Sequence, residues 1–199
     1  MLSLDKENIR RQIKEHKDII VFMLVIVSFH AFWKIGREAD DTQQLIHFYG
    51  VNFSSFFTFI SEIWANLVYR FVFLFKGELL ELQVSNLHYA DTDTGMSIIW
   101  GCSGVKEALM TALVIISAKG SYLKKIVYIP LGMFAVLLLN YIRLVSILFL
   151  VHHHPEMFDF VHGILFRVIM YGGIFLVWLG WTEKVSKKEF KLFMFGNRP

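Results

Sequence analysis

Apolar residues run through this chain in long blocks separated by short polar segments. Four blocks, 19–35, 105–118, 126–151 and 161–181, have the character of membrane-spanning helices, the second being short and starting at Cys102. A fifth apolar stretch, 53–75, is patterned differently. Its polar residues Ser55, Thr58, Glu62, Asn66 and Arg70 recur every three or four positions, which draws a stripe along one face of a helix. Phe56, Phe59, Ile60, Ile63, Leu67 and Phe71 fill the other side. This pattern predicts an amphipathic helix lying in the membrane interface with its aromatic face in lipid. A steep re-entrant hairpin with the following segment satisfies the same pattern. Between 76 and 96, Leu80, Leu82 and Val84 alternate with polar neighbours, the period of a short strand or hairpin.

Composition agrees. Of 199 residues, 55% are hydrophobic and 16% aromatic, and the mean hydropathy of +0.51 is too high for an ordinary soluble domain. The expected fold class is an all-α polytopic membrane protein with about four transmembrane helices, an outward amphipathic interfacial helix and a short polar outer segment. Repeats and Gly/Ser linkers are absent, so the chain reads as one unit. Its parts are a cytoplasmic basic tail (1–18), a transmembrane anchor (19–35) and an outer segment (36–100) containing the 53–75 helix. A three-helix core (101–182) and a second basic tail (183–199) follow. The first 18 residues are polar and no small-residue cleavage pattern follows the first apolar block, so that block reads as a retained anchor.

The distribution of charge gives an orientation. Lys6, Arg10, Arg11, Lys14 and Lys17 precede the first block; Lys119, Lys124 and Lys125 separate the second and third spans; Lys184, Lys187, Lys188, Lys191 and Arg198 end the chain. The positive-inside rule assigns all three groups to the cytoplasm. The segment 152–162 has no Lys or Arg and carries Glu156 and Asp159, so it is expected outside. Four spans satisfy every assignment together; a fifth full crossing at 53–75 breaks the parity. The expected location is the cytoplasmic (inner) membrane, with both termini inside. Cys102 and His162 then fall at the outer mouths of their helices, with Arg143 about 10 Å below.

Three residues at that face can do chemistry. Cys102, the only cysteine, has no partner for an internal disulfide. A lone cysteine in an apolar chain is commonly a small inert core residue. Here it stands at an expected helix N-terminus, where unpaired N–H groups favour a thiolate, with Lys106 one turn on. Gly101 and Gly104 leave room for an incoming carbonyl, and Ser103 can cap the helix or donate to an oxyanion. Arg143 lies within a span, where a charge is costly unless it faces protein or water; Asn140, one turn earlier, is placed to orient it. The structural alternative is snorkelling to the interface or pairing with Glu107. His162 can activate a thiol and later protonate a leaving amine, or can be an inert interfacial imidazole. Arg167 is a rival cation that equally suits helix packing. The run His152-His153-His154 reads as a solvated loop and not a metal site, since adjacent residues rarely converge on one ion. No P-loop, dinucleotide fingerprint or H-E-x-x-H is present. No cofactor and no metal are expected. The basic runs read as anchors to lipid head groups and not as nucleic-acid contacts.

The order Cys102-Ser103-Gly104, then Asn140-Tyr141-Ile142-Arg143, then His162 opening the last span resembles the exosortase/archaeosortase family over about residues 50–182. These are multi-pass membrane proteins thought to act as cysteine transpeptidases on C-terminal sorting signals. The resemblance implies catalytic roles for Cys102, Arg143 and His162, supported by Ser103, Gly104 and Asn140. It also implies membrane-anchored protein substrates carrying a C-terminal sorting signal, processed through a thioester at the outer, periplasmic face. With fewer N-terminal spans in this sequence than in the common eight-span members, it looks like one of the compact variants. The alternatives from other classes are a non-enzymatic multi-pass scaffold or a subunit of a transport or secretion complex, with an inert cysteine. A transporter using Arg143 as an anion site is a third reading, thin for lack of an inverted repeat.

Overall fold

The first apolar block folds as helix α1 (Lys17–Gly36) in the structure, a computed structural model that describes residues 17–40, 45–76 and 80–186. Most of the basic residues assigned to the two tails, among them Lys6, Arg10, Arg11, Lys14, Lys187, Lys188, Lys191 and Arg198, lie outside the described residues. After α1 come strands β1 (Arg37–Asp40), β2 (Leu45–Phe48) and β3 (Val51–Asn52), then α2 (Ser54–Lys76). Strands β4 (Leu80–Gln83), β5 (Asn86–Tyr89) and β6 (Thr94–Ser97) lead to a 3-10 turn, Trp100–Cys102, and to α3 (Val105–Ser117) and α4 (Tyr122–His153). The last described residues form a helical run that passes through a π-helical turn, Val161–Leu165, into α5 (Phe166–Gly180) and a second π-helical turn, Trp181–Ser186.

The protein is mostly helical, but the all-α expectation is corrected by two small antiparallel sheets ordered β1-β2-β3 and β4-β5-β6. The alternation at Leu80 and Leu82 does mark a strand, pairing Leu80 with Tyr89 and Leu82 with Leu87. Val84 is not part of it: with φ 59° it makes the turn and is exposed. The first sheet carries too few apolar residues for a period to show. Ile46 is its buried residue and packs with Trp33, Phe57 and Trp100.

Four helices are long and apolar enough to cross a membrane: α1, α2 over Ser54–Phe75, α4 and the run Pro155–Glu183. This set differs from the expected one. At 13 residues α3 is short for a full crossing, and it begins at Val105, not at Cys102. The expected loop at 152–162 is also largely helical, since α4 continues to His153 and a 3-10 turn begins at Pro155.

Residue pairs fix the arrangement of the helices. Lys119 Nζ meets Asp18 Oδ1 at 2.9 Å, the Trp181 indole donates to Lys119 O at 2.8 Å, and Lys125 Nζ donates to Ile116 O at 2.7 Å and to Ala118 O. These bonds gather the start of α1, the end of α3, the start of α4 and the end of α5 at one end of the bundle. Cys102 and His162 therefore meet at the other. Helix α2 buries Phe57, Ser61, Ala65, Val68 and Val72, three or four residues apart, against the protein. Phe56, Phe59, Ile63, Leu67 and Phe71 remain exposed. Its ring contacts with α4 fall on Tyr141 and Phe149, near the end of α4 that lies by Cys102.

Candidate active site

Cys102 closes a 3-10 turn whose shape is held from three sides. Its carbonyl accepts a 2.9 Å bond from Asn140 Nδ2 inside the protein, and the Trp64 indole donates to Ser103 O at 2.8 Å. Ser103 Oγ accepts the Val105 N–H at 3.3 Å, which satisfies one of the donors left over at the start of α3. Gly104, the residue before α3, has φ +71°. A side chain there costs about 1–2 kcal/mol in backbone strain, and a Cβ would stand 3.0 Å from the Asn140 amide. Gly104 is thus required by conformation and by Asn140. Gly101 faces open space, with nothing within 4 Å of where a Cβ would be.

Two expectations about this turn change. The Cys102 N–H donates to Ile99 O at 2.8 Å and the Ser103 N–H to Trp100 O at 3.2 Å. Both are spent within the turn, so neither is one of the unpaired N–H groups expected to favour a thiolate. Asn140 was expected to orient Arg143; it instead ties α4 to the Cys102 turn, and its Oδ1 is buried without a hydrogen bond.

The thiol and the imidazole do come together. Cys102 Sγ lies 3.9 Å from His162 Nε2, 60 residues apart in sequence, within reach of a sulfur hydrogen bond. Cys102 is 5% exposed, packed in a core that includes Leu144, Leu148, Val161 and Phe166. The His162 ring stacks on Phe158, with centroids 5.1 Å apart and planes at 7°. His162 sits in the π-helical turn, where the extra backbone residue sets a side chain out of the regular α-helical register; such turns recur at functional sites. Gly163 beside it has open space around its Cα.

Arg143 lines the same cavity as Cys102 and His162, a space of about 540 Å³. Its Nε is buried without a hydrogen bond. Among the described residues no carboxylate lies within ion-pair distance of Arg143, so the pairing with Glu107 does not form, although Glu107 lines the cavity too. Lys106 also reaches the cavity, where its Nζ meets His30 Nδ1 at 3.0 Å. Arg167 is a further lining residue and is exposed.

The histidine run behaves differently from a solvated loop at one position. The His152 side chain is only 7% exposed, with Nε2 3.6 Å from Asp91 Oδ2, and its ring lies 4.2 Å from that of Tyr89. Burial and the nearby Asp91 carboxylate push the Tyr89 hydroxyl up to about 12. Among the described residues no group of three or more His, Cys, Asp or Glu is placed to hold a metal ion.

Sequence reasoning missed the wall that α1 and the start of β1 contribute. His30, Trp33 and Lys34 of α1 and Arg37 of β1 all line the cavity. Part of the signal was present, since His30 and Lys34 lie one turn apart on a helical face of an otherwise apolar block. No known protein family, curated protein or solved structure matches the chain.

Proposed function

We propose that this chain is a membrane-embedded cysteine transpeptidase of the exosortase/archaeosortase type, acting on membrane-anchored proteins with a C-terminal sorting signal. The observation that carries the reading is the 3.9 Å approach of Cys102 Sγ to His162 Nε2 in a cavity shared with Arg143. A thiol and a base within hydrogen-bond reach are the pair that nucleophilic acyl transfer needs.

The steps follow from these positions. His162 Nε2 takes the thiol proton, and Cys102 Sγ attacks the scissile carbonyl carbon. Negative charge collects on the carbonyl oxygen of the tetrahedral intermediate. With the Cys102 and Ser103 N–H groups committed elsewhere, stabilising that charge falls to the Arg143 guanidinium, whose Nε lacks a partner in the protein. Collapse breaks the C–N bond, the leaving amine collects the proton from His162, and a thioester to Cys102 remains. An incoming amine, hydroxyl or water then gives its proton to His162 and attacks the thioester; the C–S bond breaks, and the Cys102 thiolate regains the proton from His162.

The proposal includes the orientation read from charge: basic segments in the cytoplasm and the Cys102 end at the outer face of the inner membrane. Clustering of Lys119, Lys125 and Asp18 at the end opposite Cys102 supports it. An interfacial α2 rests on its exposed Phe56, Phe59 and Phe71, an aromatic face for lipid, while its ring contacts run along α4 from Tyr141 to Phe149.

The test compares membrane-protein C-termini, by mass spectrometry, in cells carrying the wild-type chain or Cys102→Ala. The expected result is a set of membrane proteins that keep an intact C-terminal helix only in the variant. Identical C-termini in both would contradict the enzyme and return the scaffold reading.

A further inference from the structure

The reaction uses one cation, yet the cavity holds five: Lys34, Arg37, Lys106, Arg143 and Arg167, against the single carboxylate of Glu107. Among the described residues none of the five has a carboxylate within ion-pair distance. Cations gathered in one cavity repel one another, and a bound anion relieves that cost. One buried donor in a lining residue of α1 also lacks a partner, Trp33 Nε1. The cations are anchored from separate elements. The Arg37 guanidinium lies 4.6 Å from the centre of the Trp100 ring, and Lys106 is held by His30, whose Nδ1 also meets Tyr171 Oη at 3.2 Å.

From this we infer that the part of the cavity bounded by α1, Lys106 and Arg167 is a binding site for a phosphate-bearing ligand. A carboxylate brings one charge and two acceptor oxygens. A phosphate group brings more acceptor oxygens and up to two charges, and arginine forks match its geometry. The cavity volume leaves room for more than the phosphate itself. The inference deepens the transpeptidase reading, since it gives that site a second ligand, but the binding does not require the chemistry at Cys102. The phosphate can belong to a lipid head group or to a soluble phosphate ester.

The experiment measures equilibrium binding of radiolabelled inorganic phosphate to the full chain in uncharged detergent, at constant ionic strength set by chloride. Saturable binding is expected, with the same affinity in Cys102→Ser, so that failure of the thiol chemistry leaves this result standing. The double variant Arg37→Gln/Arg167→Gln alters two exposed side chains and should bind about tenfold more weakly or worse, with an unchanged unfolding temperature. Lys34→Gln alone should weaken binding less. Competition separates the sources: a short-chain phosphatidylglycerol displacing the label far better than glycerol phosphate identifies a lipid head group, and equal displacement a soluble ester. Absence of saturable binding, wild-type affinity in the double variant, or displacement by acetate as effective as by phosphate would each overturn the inference.

Discussion

Arg143 shows how far single residues could be read. An arginine inside an apolar block is legible as an anomaly because burying its charge is costly, and its place on the cavity wall with an unpartnered Nε accords with that. The role of Asn140 was not legible. Sequence places it one turn from Arg143, but only the packing of α4 against the Cys102 turn shows its amide donating to Cys102 O. Substitution at Arg143 separates the charge of the guanidinium from its shape. Arg143→Lys should lose nearly as much activity as Arg143→Ala, both on the order of 100-fold or more in kcat, the usual cost of removing an oxyanion donor. An ammonium retains charge but cannot reproduce a planar fork. The check is the rate of substrate processing by each variant at equal membrane abundance; near-wild-type turnover by the lysine variant would mean that charge alone suffices.

At the scale of elements, periodicity gave the long helices and β4 because their buried faces repeat over several residues. It failed where an element is short or where its neighbours define it. Among the described residues the β1-β2-β3 sheet buries only Ile46 completely, and the π-helical turn around His162 leaves no signature in residue type. The histidine run looked uniform, yet the end of α4 separates its members. His152 faces Tyr89 and Asp91 of the second sheet, whereas His154 is exposed beside Glu156, 3.1 Å away. Replacing His152 by Ala should therefore destabilise the protein by about 1–2 kcal/mol, the common range for losing a packed polar contact. His154→Gln should stay within about 0.5 kcal/mol of wild type. Thermal unfolding of the two variants in the same detergent distinguishes them; equal midpoints would show that the sheet does not lean on α4 through His152.

In the whole molecule, the two ends of the helix bundle differ in their chemistry. The bonds among Asp18, Lys119, Lys125 and Trp181 gather one end of the bundle, and Cys102 and His162 share the other. What the sequence could not supply was the identity of the spans, because α2 and α3 are each atypical: α2 is long but striped with polar residues, α3 apolar but 13 residues long. The proposed orientation predicts that a small membrane-impermeant thiol reagent labels Cys102 from outside spheroplasts, slowly, since the residue is 5% exposed. Labelling seen only after permeabilisation would reverse the topology.

The central claim is that Cys102 forms a covalent acyl intermediate, and trapping that species tests it most directly. Wild-type membranes quenched in acid shortly after new substrate is made should contain a substrate-linked form of the chain that hydroxylamine releases, as thioesters require. His162→Ala should change how much of it forms or accumulates. Cys102→Ser is nearly isosteric and should insert normally, but its hydroxyl is a far weaker nucleophile than a thiolate, so it should give no adduct and leave substrate intact. A Cys102→Ser protein that processes substrate at the wild-type rate would contradict the account.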